Sequence, residues 1–344
     1  MEYADINNYT AGNKARNDIL RILREDGAVY IPLFHVKQSH IKIGLEIVCS
    51  LGKTFLSVKK GDIVYIQYPY QPQMVNSFVI KCLRLICRIK NAQYVVFVHD
   101  INSMRTSEDK LKLRKKMSKE AKLFSKPDYL VAHNEEMIKY LRSYCDKINM
   151  LNLQLFDYLY DGEGAKRRFN KDKKEIVIAG NLSQGKSNYI YNLSPNNHII
   201  YNLYGINYEN ELQKSKENVH YFGAYDPNEL IKNLQGTFGL VWDGDSTKTC
   251  NGPTGEYLKY NNPHKASLYI ASGLPIIVWE KSALAKYVKE NQIGCVIQNL
   301  DEISEICDSI SIDDYEKMCV NVDKLSNKIT KGYYTKQIIK QSGV

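Results

Sequence analysis

Short apolar runs alternating with helical patterns constrain this chain more than any other feature. In the first half, residues 28–34 ("AVYIPLF"), 62–69 ("DIVYIQYP"), 94–100 ("YVVFVHD") and 128–134 ("DYLVAHN") read as strands, with 149–159 ("NMLNLQLFDYL") as a further one. Helical patterns fit between most of them. Such alternation specifies an α/β fold with a parallel sheet, whose ligands gather at the C-terminal ends of the strands. The polar, charged stretch 161–174 ("DGEGAKRRFNKDKK") interrupts the pattern and is the expected interdomain linker. Beyond it, runs at 175–181, 198–205, 219–223, 238–244, 275–279 and 294–297 mark a second sheet. The expected organisation is a domain over 1–160, the linker 161–174, a second domain over 175–312, and a helical tail over 313–344 able to cross back onto the first.

Charge is distributed unevenly. Residues 1–173 hold 30 Lys/Arg against 19 Asp/Glu, net +11, whereas residues 174–344 are net −2. Much of the excess lies in "KLKLRKKMSKEAKLFSK" (110–126) and on the helical face shared by Lys81, Arg84 and Arg88. A solvated basic surface is one reading, and adhesion to an anionic membrane surface is the other. No recognition motif for nucleic acid accompanies the charge. The start "MEYADINNYT" lacks the basic and apolar regions of a signal peptide, and no uncharged apolar run reaches 18 residues. A cytoplasmic chain is expected. Its eight cysteines have no metal-ligand spacing and are expected to be reduced and mostly buried.

The segment 261–280 ("NNPHKASLYIASGLPIIVWE") is an apolar helix running into a buried strand. Asn262 is the expected cap, Pro263 the first helical residue, and Ala266, Tyr269, Ile270 and Gly273 recur at i, i+3, i+4, i+7. His264 and Lys265 then fall in the first turn, where a cation opposes the helix dipole unless an anion is bound. A phosphate-bearing ligand reconciles the two.

Other junctions have the same flavour. "AGNLSQGKSNYIY" (179–191) places Gly180, Asn181, Ser183 and Lys186 between a strand and an expected helix, either as a phosphate cradle or as an ordinary turn; it is not a Walker A loop. "GLVWDGDS" ends a strand in Asp243 and Asp245, which form a capped turn, a sugar-hydroxyl acceptor or, less specifically, a metal ligand pair. "TAGNKARND" reads as a Gly loop, containing Gly12 and Lys14, that enters a helix holding Asp18. His99 and Asp100 close a strand, and either serve as a general base with its orienting partner or are a core histidine beside a turn aspartate.

Taken in chain order, "AGNKARND", "VHDINSMR", "AGNLSQGKS", "LYGINYEN", "FGLVWDGDS" and "GEYLKYNNPHKASLY" make the sequence resemble the bacterial β-1,6-galactofuranosyltransferases that build O-antigen and capsular polysaccharide. The same superfamily looks to include glucosyltransferases that extend GlcNAc on serine-rich adhesins. The resemblance implies a GT-B fold, two Rossmann-like domains with parallel sheets facing across a cleft, the second holding the UDP-sugar donor. It implies that the 263–272 helix points its N-terminus at the UDP diphosphate, with His264 and Lys265 balancing the charge and Lys186 approaching from the neighbouring loop. Gly12, Lys14, Gly180, Asn181, Ser183, Asp243, Tyr260 and Asn262 complete the expected site, without a metal or other cofactor. Inversion at the donor sugar needs a base, for which Asp100 is the first choice, followed by His99 and Asp18. The implied acceptor is a polyprenyl-diphosphate-linked oligosaccharide, met at the inner face of the cytoplasmic membrane, and a homo-oligomer is compatible with all of this. Two other readings stay open: a UDP-glucose-dependent transferase extending GlcNAc on a glycoprotein, and a non-catalytic glycosyltransferase-like partner subunit.

Overall fold

The computed structural model describes residues 2–4, 11–35, 39–70, 75–106, 110–124, 127–162, 174–194, 199–214 and 217–343. Two compact units emerge. The first comprises Met1–Asn8, Arg16–Gln154 and Tyr334–Val344, and the second Tyr9–Ala15 and Leu155–Tyr333. Two placements differ from the sequence expectation: Leu155–Tyr160 and the opening of the first long helix both cluster with the second unit. Most of the expected linker, 163–173, lies outside the described residues, and its last residue, Lys174, already begins a strand.

In chain order the first unit contains β1 (Glu2–Ala4), α1 (Ala11–Glu25, shared with the second unit), β2 (Pro32–His35), α2 (His40–Ser57), β3 (Ile63–Tyr68) and α3 (Asn76–Lys90). It continues with β4 (Gln93–Val98), α4 (Asn102–Arg105), α5 (Lys110–Ala121), β5 (Tyr129–Ala132), α6 (Glu135–Arg142) and β6 (Asn149–Asn152). β3-β4-β5-β6 form a parallel sheet, while β1 and β2 pair separately. The strands are buried on both faces, as the continuous runs Val95–Val98 and Leu130–Ala132 require. The run at 149–159 forms a strand only to Asn152; Gln154, at φ +66°, ends the extended path.

The second unit contains β7 (Lys174–Asn181), α7 (Gln184–Ser187), β8 (Ile199–Ile206), β9 (Val219–Tyr221), α8 (Pro227–Asn233), β10 (Phe238–Val241), α9 (Gly252–Tyr257) and α10 (His264–Ala271). It ends with β11 (Ile276–Trp279), α11 (Leu284–Asn291), β12 (Gly294–Ile297), α12 (Glu302–Ser309) and α13 (Ile312–Ile329), after which comes α14 (Tyr333–Ser342). Its parallel sheet has the order β12-β11-β10-β7-β8-β9, so strand order reverses around β7 and β10, where such sheets bind ligands. The helical tail is made of two helices, α13 and α14. Gly332, at φ +74°, breaks it, and α14 from Tyr334 onward clusters with the first unit, where the Tyr65 and Ser342 hydroxyls lie 3.1 Å apart.

Helix α10 is held unusually close to the sheet. Gly239 of β10 has no side chain, and the Tyr269 ring of α10 occupies the space a Cβ would fill. The Tyr269 hydroxyl reaches β7, accepting from the Ala179 N–H at 2.7 Å. Gly239→Ala is therefore expected to destabilise the second unit by about 1–3 kcal/mol through overpacking. Thermal melting checks this, and an unchanged midpoint would show that Tyr269 has room to move.

All eight cysteines are free, as expected for reduced thiols. Only Cys87, Cys145, Cys250 and Cys307 are buried, and Cys49 is exposed, so burial is less general than expected. Desolvation pushes the Cys87 and Cys307 thiols up to about 12, leaving them inert.

Candidate functional site

In the second unit the site is built around the N-terminus of α10. Pro263, extended at φ −68° and ψ 139°, is the N-cap, and the helix begins at His264. The expected Asn262 cap is not made, because the asparagine is buried and proline's fixed φ already suits the residue before the first turn. The Ala266 N–H donates to the Pro263 carbonyl at 2.9 Å, while the earlier first-turn N–H groups of α10, at the positive end of its dipole, have no acceptor within the helix. Tyr260 lies half-buried just upstream.

Lys265 and Asp243 form the electrostatic centre. Lys265 Nζ donates to Asp243 Oδ1 at 2.8 Å and to the Trp242 carbonyl at 3.0 Å, with both charged side chains close to fully buried. Two of the three ammonium protons are thus used, so Lys265 is held rigidly at the end of β10. Asp243, expected as a sugar-hydroxyl acceptor or metal ligand, is first of all the counter-charge of this lysine. Among the described residues no three His, Cys, Asp or Glu side chains gather as a metal ion would require.

His264 is not the free first-turn cation that the sequence suggests. Its ring stacks on Tyr158 at 5.0 Å and 22°, and Nε2 donates to the Asp157 carbonyl at 3.3 Å. Burial, assisted by the nearby Lys14 ammonium and opposed by that hydrogen bond, pushes its pKa down to about 3. Its enclosure thus favours the neutral imidazole, and its Nδ1 is a buried acceptor without a protein partner. The cation beside it is Lys14 instead. Lys14 Nζ lies 4.9 Å over the Tyr158 ring and donates to the Leu159 carbonyl at 2.8 Å. Lys14 and Gly12 are not in a loop: α1 already starts at Ala11, glycine being tolerated in a first turn whose N–H groups need no intrahelical partner.

The 179–191 stretch is also a different object from the one expected. α7 is a single turn, followed by a 3-10 segment over Asn188–Asn192, so it supplies no helix dipole. Asn181 organises the turn: Oδ1 accepts from the Ser183 N–H and from Asn207 Nδ2, both at 3.1 Å, and its carbonyl accepts from Ser187 Oγ. Gly180, at φ +135°, is still paired with Gly205 near the end of β7, and Ser183 sits at the N-cap without a side-chain cap bond. The turn is stitched to the end of β10, where the Gly244 N–H donates to the Lys186 carbonyl at 3.0 Å and the Gly244 carbonyl accepts from the Tyr189 N–H at 3.3 Å. Gly244 is needed there: at φ +108° a side chain would strike the Asn251 carbonyl. Lys186 is thereby brought to the same strand ends as Lys265.

In the first unit, His99 and Asp100 follow the end of β4, while Asp18 lies in the middle of α1. His99 Nε2 donates to Gln67 Oε1 at 2.7 Å, since the Gln67 amide donates to the Arg16 carbonyl at 3.1 Å, which fixes the histidine tautomer. Asp100 is partly exposed and its Oδ2 accepts from Arg105 at 2.5 Å, which fixes its rotamer. Asp18 is buried within α1. Two residues escaped the sequence reading. Glu120, inside the basic run, is buried and accepts from the Asn102 and Ser103 N–H groups at 3.0 and 2.8 Å and from the Tyr68 hydroxyl, so it anchors the loop that presents Asp100. Tyr158, read as part of a strand, is the platform for Lys14 and His264.

Residues 2–155 match the N-terminal domain, and residues 176–342 the C-terminal domain, of glucosyltransferase 3-like proteins. The β-1,6-galactofuranosyltransferase WbbI of Escherichia coli K12 is 33% identical over 337 residues, 96% of this chain and 94% of its own. Glucosyltransferase 3 of Streptococcus gordonii is 24% identical over 332 residues, 94% of this chain and 92% of its own. Anabaena HepE, solved in complex with UDP-glucose, superposes with a TM-score of 0.55 at 12% identity, covering 97% of this chain and 94% of that one. The last likeness is one of fold, that of the GT-B glycosyltransferases.

Proposed function

The chain belongs to the glucosyltransferase 3-like family of glycosyltransferases, and we propose that it transfers galactofuranose from UDP-galactofuranose, with inversion, to a polyprenyl-diphosphate-linked oligosaccharide of a surface polysaccharide such as O-antigen or capsule. The observation that carries the choice of sugar is the 33% identity to WbbI across nearly the whole chain. In this reading the diphosphate lies at the α10 N-terminus, and Lys265 and Lys186 stabilise the departing UDP as its negative charge grows. Asp100 takes the proton of the acceptor hydroxyl. The likeness to glucosyltransferase 3 supports the second reading, glucose transfer to a GlcNAc-bearing glycoprotein.

Incubating the protein with UDP-galactofuranose, UDP-galactopyranose, UDP-glucose and UDP-GlcNAc separates these. Preferential consumption of UDP-galactofuranose is expected; preference for UDP-glucose would establish the second reading, and consumption of none would point to the non-catalytic subunit.

Turnover is expected to survive EDTA, because in this reading lysine ammonium groups meet the diphosphate, and Asp243 is already committed to Lys265. Activity abolished by chelation and restored by Mn²⁺ or Mg²⁺ would instead turn Asp243 and Asp245 into metal ligands.

A further inference from the structure

Helices α2 and α3 of the first unit expose an apolar surface that folding does not explain. Both are amphipathic, and their inner faces are filled: Ile43, Ile47 and Leu51 on α2, and Val79, Leu83 and Ile86 on α3, are buried. Their outer faces are apolar as well. On α2, Ile41, Leu45, Val48 and Leu56 recur at helical spacing and expose from 61% to 81% of their surface. On α3, Phe78, Leu85 and Ile89 do the same, at 53% to 60%. With Phe55, these side chains are half of the large exposed apolar residues among the described part of the chain. The helices are neighbours, and Lys90 of α3 lies 4.3 Å over the Phe55 ring of α2, so the stripes belong to one platform. A contiguous apolar patch on this scale marks an interaction site rather than scattered surface residues.

The charges around the platform indicate its occupant. α3 carries Lys81, Arg84, Arg88 and Lys90 and no acid. α2 carries Lys42 and Lys53, and its one acid, Glu46, is engaged by the His35 backbone N–H at 2.8 Å. A second copy of the chain would set two basic rims against each other across a two-fold axis, which like-charge repulsion disfavours. No described helix is long and apolar enough to cross a membrane. Apolar side chains along two neighbouring helices, rimmed by lysine and arginine, suit the boundary between anionic headgroups and acyl chains.

We propose that α2 and α3 dock the protein on anionic lipid surfaces, the apolar stripe entering the acyl boundary while the rim cations engage the headgroups. The exposed basic helix α5 adds long-range attraction but no insertion. The proposal is independent of which sugar is transferred.

Co-sedimentation of the full chain with vesicles of phosphatidylglycerol and phosphatidylcholine tests this, at low and high salt. Wild-type protein is expected to bind, and to retain a salt-resistant fraction because apolar insertion is not screened. The Leu45→Glu, Leu85→Glu double variant is expected to bind about tenfold more weakly at any salt, with melting and UDP binding unchanged because both positions are exposed. Lys81→Gln, Arg88→Gln is expected to lose the salt-sensitive part alone. Wild-type binding by the Leu45, Leu85 variant, or no wild-type binding to these vesicles, would overturn the proposal. So would a wild-type oligomer, seen by sedimentation velocity, that the same variant dissolves without any vesicle binding, since the face would then join copies of the chain.

Discussion

Asp100→Asn is expected to lower turnover by about 10²–10⁴-fold, the usual worth of a general base, while affinity for UDP stays close to wild type. The substitution keeps size and hydrogen-bonding shape but removes the anion proposed to take the acceptor proton. Asp100 Oδ2 is held by Arg105, and the loop that follows is pinned by Glu120, so the carboxylate is presented in one orientation. Saturating-donor kinetics read the loss in kcat, and a UDP titration confirms that the second unit is undisturbed. A normal kcat would transfer the role to His99, whose tautomer Gln67 fixes, or to the buried Asp18. Glu120→Gln separates positioning from chemistry: a loss in kcat smaller than that of Asp100→Asn, with Asp100 intact, would mark Glu120 as a positioning residue.

Lys265→Ala is the second large effect, and it acts on two links at once. Removing the ammonium leaves the Asp243 carboxylate nearly buried and without its counter-charge, a situation that costs about 3–5 kcal/mol in folding stability. It also removes the charge-assisted donor proposed to meet the diphosphate, which should weaken UDP binding by about 10–150-fold. The two losses separate in the double variant Asp243→Asn, Lys265→Met, in which no buried charge is stranded. Its melting midpoint should return most of the way to wild type while its UDP affinity stays low. If calorimetry finds wild-type UDP affinity in the double variant, Lys265 is a structural ion-pair partner alone.

Both parallel sheets were legible in the sequence because buried parallel strands are short apolar runs with turn residues at their ends, and that signal is local. β10, read at 238–244, and β11, read at 275–279, fall within three residues of their observed ends at Val241 and Trp279. The placement of Lys265 and Lys186 at the ends of strand–helix units was legible for the same reason. What was not legible depends on distant partners. His264 looks cationic until Tyr158 and the Asp157 carbonyl, more than a hundred residues earlier, enclose it and keep it neutral. Lys265 looks free to meet a phosphate until Asp243 is seen to hold it. Glu120 is hidden in a run of lysines, and only the fold turns it inward to cap Asn102 and Ser103. The apolar outer face of α2 was missed because its period matches the buried face, and periodicity alone does not say which side meets solvent.

The most direct test of the central claim, that the α10 N-terminus with Lys265 reads the diphosphate of a sugar nucleotide, is calorimetric titration of the wild-type protein with UDP and, separately, with uridine, in the presence of EDTA. UDP should bind more tightly than uridine by about 10²-fold or more, since at least two charge-assisted hydrogen bonds and the helix dipole act only on the phosphates. Equal affinities for UDP and uridine would contradict it.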